Sequence, residues 1–596
     1  MPAISGVWLR SAPLPSGAGW ESAGRRAHVV FAGRLDNRAE LIRDLDDRGN
    51  AIASLSDAAL VAACFDTWGD DAFARLIGDF ALAIFDAAER RLLLARDAIG
   101  VKPLYYSATT ERVVFASDIT TVLGDPSVPR RPHERLLAGM MLGRLHRQAD
   151  SGETCFDGVW SVPAAHVAEF DARTARVRRY FEFNADPLDD SIGFADCAAE
   201  LRERLARAVS RRVAGGTPAA VSVSGGLDST ALVCLARGSG ARTMAFTYTS
   251  NDGSPADESR FVAALQREYG PIERIDTPVE GAVLEGARAV LRCVEAPMLD
   301  LQGNRSAALM EAVAHRGASI LLTGHYGDQL LFDQAYLVDE LRRGSWRTVR
   351  AHLREYLNWF PDSEGTEFSR RLLSDVLDHA APRWVRPLAR SVRGAGRRPE
   401  WWQRWFTSRF VEAAAPDTFD RQPRHTGRAS ALSIALFREV RSKYHALCLE
   451  TGSKISGARG LQTTYPYLDR DVVGFLMRVS GAHLVRGGVP KALLREAMRG
   501  VVPEEIRLRR SKGDFSAIVN AGARRDLDAI ARLLSRDPLV VQFGYADADN
   551  LSAGLRHAEW ELSHSPSCVA TWRLADLVAL ELWLQEFFGT EAAKHA

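Results

Sequence analysis

Two kinds of apolar pattern divide the chain. From about residue 27 to 185, short apolar runs alternate with turn signals: His28-Val29-Val30-Phe31, then residues 80–86, 91–96 and 113–116. Few long amphipathic stretches interrupt them, which predicts an α+β domain built on antiparallel sheets. A polar, Pro-containing stretch at residues 183–190 marks a boundary, dividing the chain into domains of residues 1–188 and 189–596. Residues 195–213 then carry helical spacing, and Ala219-Ala220-Val221-Ser222-Val223 reads as a buried strand that runs into a glycine turn and a helix at 230–237. Further strands at 243–248 and 319–323, with helical segments at 258–269 and 306–315 between them, predict βαβ units and a parallel, doubly wound sheet. Beyond about residue 335 the strand signal nearly disappears, and a helical insertion is expected at about 335–445.

Composition narrows the classes. With 46% hydrophobic and 25% charged residues the chain suits a globular protein. The net charge of +1 gives no global attraction to nucleic acid or anionic membrane, and no apolar run is long enough to span a bilayer. A cytoplasmic location is expected. The seven cysteines lack a C-x-x-C pair and read as buried free thiols. Position 2 is Pro, so loss of Met1 exposes no Cys, Ser or Thr as an amino-terminal nucleophile.

The string Val223-Ser224-Gly225-Gly226-Leu227-Asp228-Ser229-Thr230 sits where the buried strand turns into a helix. Two residues without Cβ let backbone amides approach an anion, and the first helical amides lack internal partners. A polyphosphate fits there, with Ser224 and Ser229 donating to its oxygens and Asp228 holding a bridging Mg²⁺. Without the Gly-x-x-x-x-Gly-Lys of a Walker loop, transfer of the terminal phosphoryl group is disfavoured. The string instead resembles the PP-loop, which implies release of pyrophosphate from ATP and an adenylate intermediate.

From about residue 27 to the carboxy terminus the chain resembles the asparagine synthetase superfamily, which includes β-lactam synthetases and the macrolactam cyclases of lasso peptides. Phe31-Ala32-Gly33-Arg34-Leu35-Asp36-Asn37, residues 78–86, residues 95–106 and Phe115-Ala116-Ser117-Asp118 look like its amino-terminal glutaminase domain. The resemblance implies an Ntn-hydrolase-like sandwich followed by an α/β PP-loop synthetase domain with large helical additions. A working glutaminase of this family needs Cys at position 2 and an Asn-Gly-Glu segment, where this chain has Pro2 and Ala32-Gly33-Arg34. That substitution removes the thiolate and an oxyanion donor, and Arg34 repels the ammonium group of glutamine. The expectation is a structural, inactive first domain.

In the second domain, Leu322-Thr323-Gly324-His325-Tyr326-Gly327-Asp328 resembles the second phosphate segment, with Asp328 at the position of a second magnesium ligand. The resemblance implies His325 and Glu450 as a pair that takes the proton from the attacking amine, and Lys512 as the cation that neutralises phosphate and oxyanion charge. Lys512 ends a basic run from Arg507 that follows Pro490-Lys491-Ala492-Leu493-Leu494-Arg495-Glu496. Phe246 and Ser254-Pro255-Ala256-Asp257 fall where the family holds adenine and starts a helix.

Between Asp328 and Glu450, Trp346, Trp359, Trp384, Trp401, Trp402 and Trp405 are interleaved with arginines from Arg342 to Arg398. This reads either as a cap for an extended peptide or as an ordinary bundle with its own core. A peptide carrying both amine and carboxylate needs no ammonia, so the leading expectation is lasso-peptide macrolactam formation. A precursor peptide is then the substrate, with a leader peptidase and a leader-recognition protein as partners. The alternatives are a β-lactam synthetase-like cyclase, an ammonia-dependent asparagine synthetase and a non-catalytic ATP-binding assembly protein.

Overall fold

The structure is a computed structural model that describes the chain except residues 1–2, 13, 18, 23, 25, 47–53, 189–191, 215–217, 250–256, 277–282, 302, 360–399, 415–428, 511–512, 514, 565–568 and 596. The alternating half folds into strands β1 (Ser5–Leu9), β2 (Ala27–Leu35), β3 (Gly78–Asp86), β4 (Arg91–Arg96), β5 (Tyr105–Ala108), β6 (Arg112–Ala116), β7 (Trp160–Ser161), β8 (His166–Phe170) and β9 (Ala175–Arg179). They pair antiparallel into two sheets, ordered β1-β6-β5-β7 and β2-β3-β4-β8-β9. Trp8, Phe85, Leu94, Phe115 and Phe170 fill the space between the sheets. Residues one position out of phase, such as Leu82, Ile84 and Leu93, face a second core with Phe65 and Phe73 under the helix Asp57–Trp68. Period-two alternation thus buries both faces of β3 and β4.

The second half contains a parallel sheet of β10 (Ala219–Ser222), β11 (Thr243–Thr249), β12 (Glu273–Asp276), β13 (Ile320–Leu322) and β14 (Gln462–Thr464), ordered β12-β11-β10-β13-β14. Strands β12 and β14 have no counterpart in the sequence reading; at four and three residues each they are too short for a periodic signal. The chain leaves β10 toward β11 and later returns on the other side as β13. That reversal opens a crevice at the carboxyl ends of β10 and β13, where ligands bind in open α/β sheets.

The halves are not independent bodies. One apolar core contains Tyr105 and Phe156 of the first half together with Leu447, Leu580, Trp583 and Phe588 of the second. Phe156 packs edge-on against Trp583 at 5.1 Å. Trp402 and Trp405 are buried in this same core, so these two cap tryptophans fill the protein's own interior; Trp346 is exposed. Trp384 and the arginines from Arg383 to Arg398 lie outside the described residues, as does the side chain of Trp359. Among the described residues, no helix is long and apolar enough to cross a membrane.

Candidate functional site

The glycine loop is built from the sheet outward. Val223 continues β10, donating its N–H to the Phe246 carbonyl at 2.8 Å. Gly225 then takes φ +72°, and a Cβ there would lie 2.9 Å from Phe261 Cβ. Glycine alone adopts this turn and this contact without strain. The helix Leu227–Gly238 follows, capped at Gly226 with no side chain bonded to its first amides. Those amides and the positive end of the helix dipole are thereby left for an anion. Ser224 Oγ and Ser229 Oγ are 3.1 Å apart, and the buried Thr230 Oγ1 has no hydrogen-bond partner among the described residues.

Across the crevice, the turn after β13 carries the second segment. The Thr323 hydroxyl accepts the His325 N–H at 3.3 Å, and Thr323 itself is anchored to the Thr464 carbonyl of β14 at 3.2 Å. Gly324 and Gly327 press against the first loop: a Cβ on Gly327 would lie 2.6 Å from the Asp228 carboxyl carbon. Side chains at either position would force the two loops apart. The Tyr467 hydroxyl supports the arrangement by donating to the Asp228 carbonyl at 3.1 Å.

One ammonium joins the two carboxylates. Lys491 Nζ contacts Asp228 Oδ2 and lies 2.6 Å from Asp328 Oδ1. Lys491 adopts φ +55°, a left-handed conformation that turns its side chain back into the crevice at the start of the helix Ala492–Ala497. Burial pushes the Lys491 pKa down, but the charges of Asp228 and Asp328 outweigh it and the net shift is upward. A single cation touching both carboxylates tests the fit of Mg²⁺. Two converging carboxylates beside a glycine loop fit the way this ion is held, by one or two carboxylates plus phosphate oxygens and water. The sequence reading quoted Lys491 but gave it no role, because nothing in the letters reports its backbone conformation.

Other expected residues lie elsewhere. Glu450 is not among the hydrogen-bonding partners of His325. Its carboxylate is buried at the junction of the two halves, accepting from Arg96 at 2.7 Å, Tyr105 at 2.8 Å and Ser161 at 2.9 Å. Burial tends to raise its pKa, but Arg96, Lys443 and Lys454 together bring it below the ordinary value. All three donors belong to the first half, so this carboxylate ties the two halves together. His325 is exposed on its turn. The Phe246 ring is fully buried among Ala220, Leu309, Val313 and Leu321. Lys512 and residues 254–256 lie outside the described residues.

In the first half, Arg34 is ion-paired with Asp36 at 2.5 Å and with Asp79 at 3.0 Å. Asp36 also lies 3.5 Å from Arg212, which binds Asp469 at 2.8 Å, so the pairing continues into the second half. Pro2 lies outside the described residues.

A glycine loop opening a helix, faced by converging carboxylates at the switch point of a parallel sheet and joined to an antiparallel sandwich, defines a two-domain enzyme of the nucleotide-dependent ligase class. The family described as "Asparagine synthase" matches residues 200–585, and the one described as "Glutamine amidotransferase domain" matches residues 20–181. Glutamine-hydrolyzing asparagine synthetase 3 of Bacillus subtilis is 21% identical over 81% of this chain and 74% of its own length. Asparagine synthetase 1 of the same organism is 20% identical over 85% of this chain and 78% of its own length. Amidase chry2 of Gibberella zeae is 26% identical over 51% of this chain and 46% of its own length. The chain belongs to the asparagine synthase family and is an ATP-dependent carbon–nitrogen ligase.

Proposed function

We propose that the enzyme adenylates a carboxylate and couples it to an amine that the substrate already carries, forming a macrolactam in a peptide of the lasso type. The observation that carries this reading is Arg34, whose guanidinium sits between Asp36 and Asp79 in the segment that resembles a glutamine pocket. Arg34 occupies both carboxylates with its own charge and Ala32 adds no polar side chain, which leaves little to hold the ammonium group of glutamine. The Arg96–Glu450 pair closes the junction between the halves, and the cavity beside it, lined by Tyr105, Cys155 and Glu295, measures about 10 Å³, room for about one water. The reading includes a division of the chain near residue 188, a helical insertion at about 335–445, a precursor peptide as substrate, and a leader peptidase and leader-recognition protein as partners.

The loop amides and the Ser224 and Ser229 hydroxyls hold the β- and γ-phosphates, and Lys491 and Lys512 balance charge on the departing pyrophosphate. Asp228 and Asp328 hold Mg²⁺, which when bound neutralises phosphate charge and orients the leaving group. The turn at Thr323 and Gly324 closes the other side of the nucleotide site. His325, exposed on that turn, accepts the proton of the attacking amine without help from Glu450. Keeping amine and acyl group at reactive distance is the remaining task, since orientation alone supplies several kcal/mol, roughly 7–11 in favourable intramolecular cases.

The test is exchange of labelled pyrophosphate into ATP. Exchange that requires a core peptide with a free α-amine, followed by a product lighter by one water, supports the reading, and Asp228→Ala should abolish both. Asparagine synthesis from free ammonia is the second reading: two of the relatives are named as glutamine-hydrolyzing asparagine synthetases, and free ammonia would stand in for the glutamine. Aspartate-dependent exchange with asparagine as product would establish it and sink the first.

A further inference from the structure

The run Arg507 to Lys512 has the composition of a solvated surface segment, yet part of it points inward. The side chains of Arg507 and Arg509 are only 9% and 7% exposed. Arg509 forms an ion pair with Glu258 at 2.7 Å, lies over the Phe261 ring at 3.9 Å and donates to the Gly225 carbonyl at 3.1 Å. Its own carbonyl accepts from Arg495 at 3.0 Å, and Arg495 also binds the carbonyls of Pro490 and Arg507. Arg495 sits four residues after Lys491, so the same short helix braces Arg509 and delivers the ammonium between Asp228 and Asp328.

We infer that Arg509 is a positioning residue that fixes the Gly225–Gly226 peptide plane, an inference that rests on the reading of this loop as the phosphate site. In a trans peptide the carbonyl oxygen and the following N–H point in opposite directions. A guanidinium that holds the Gly225 carbonyl therefore aims the Gly226 N–H into the loop, where it now meets Ser224 Oγ at 3.3 Å. Two adjacent glycines offer little resistance to rotation of that plane, and a flipped plane would present an oxygen to the phosphate. Glu258 and Phe261 hold the guanidinium from two sides, and both belong to the segment packed under Gly225. The two hydrogens of one nitrogen, Nη1, serve carboxylate and carbonyl while the flat guanidinium lies on the Phe261 ring, a combination that a compact ammonium does not reproduce.

Titration of the intact enzyme with ATP, pyrophosphate and AMP tests this. Arg509→Lys should weaken ATP and pyrophosphate at least tenfold each while AMP changes less than threefold, since AMP lacks the groups the loop holds. Wild-type affinity for ATP and pyrophosphate in that variant would overturn the inference, and so would an equal loss for AMP, which signals general damage. Phe261→Leu, which removes the face under the guanidinium, gives a second reading should the lysine variant misfold: at least threefold weaker pyrophosphate binding is expected, and unchanged binding refutes. If the wild type binds no ATP, the loop assignment falls and takes this inference with it; if it binds and only the variants are silent, the loop assignment survives alone.

Discussion

Replacing Lys491 by Met keeps the length of the side chain and removes the charge that separates Asp228 from Asp328. Breaking one partner out of a buried charge group costs about 3–5 kcal/mol. Asp228 is 14% exposed but Asp328 is 42% exposed, so water screens half of the contact and about 2–3 kcal/mol is expected. At about 2–4 °C per kcal/mol for domains of 150–250 residues, and less for a larger one, melting should fall by roughly 3–6 °C. The ammonium stands where the divalent ion is proposed to bind, so Mg²⁺ should restore most of this loss and stabilise the variant more than the wild type. Thermal melts with and without MgCl₂ read this directly. A variant as stable as the wild type in chelator, or one on which Mg²⁺ acts no more strongly, would refute the reasoning. The sign with pH follows from the raised Lys491 pKa: its contribution is fully present below the ordinary lysine value of about 10.4 and is lost as pH rises through the folded value. The difference between wild type and variant should therefore be flat from pH 7 to 9 and shrink in strong alkali.

Gly327→Ala should weaken ATP binding at least tenfold by titration, because its Cβ would lie 2.6 Å from the Asp228 carboxyl carbon. Glu450→Gln should lower the melting temperature yet leave pyrophosphate exchange per folded molecule near the wild type, which separates a structural anion from a catalytic one. The lowered Glu450 pKa makes its contribution present above the ordinary carboxylate value of about 4.3 and lost as pH falls through the folded value, so the melting difference should narrow in acid. Phe246→Ala should cost about 3–5 kcal/mol by opening a cavity in the core, measured by denaturant unfolding, with ATP affinity of the folded fraction unchanged. His325→Ala should slow product formation about 10²–10⁴-fold in single-turnover assays while pyrophosphate exchange persists.

The shape of the glycine loop was legible because local rules decide it: a buried strand, two glycines and a helix start are neighbours in the chain. The sandwich followed from period-two alternation for the same reason. Glu450 was not legible in this way. Its partners Arg96, Tyr105 and Ser161 lie 354, 345 and 289 positions away, and only the packed junction reveals them. The packing of Phe246 was not legible either, because an aromatic on a strand suits a nucleotide pocket and a core equally; its core neighbours Leu309 and Val313 come from the helix Gly303–His315, more than 60 positions on. The inward turn of Arg507 and Arg509 depends on Glu504, Glu258 and Arg495, contacts that composition does not report.

The core shared by Phe156 and Trp583 has a consequence for which parts of the first half are free to vary. Positions such as Ala32 and Phe85 answer to the core between the two sheets alone, whereas Phe156, Tyr105 and Arg96 also serve the neighbouring half and carry both constraints. Produced alone, the second half would lose Phe156 from against Trp583 and Phe588, uncovering apolar surface that favours aggregation. The first half thus stands to the second as a permanent chaperone fused to its own client.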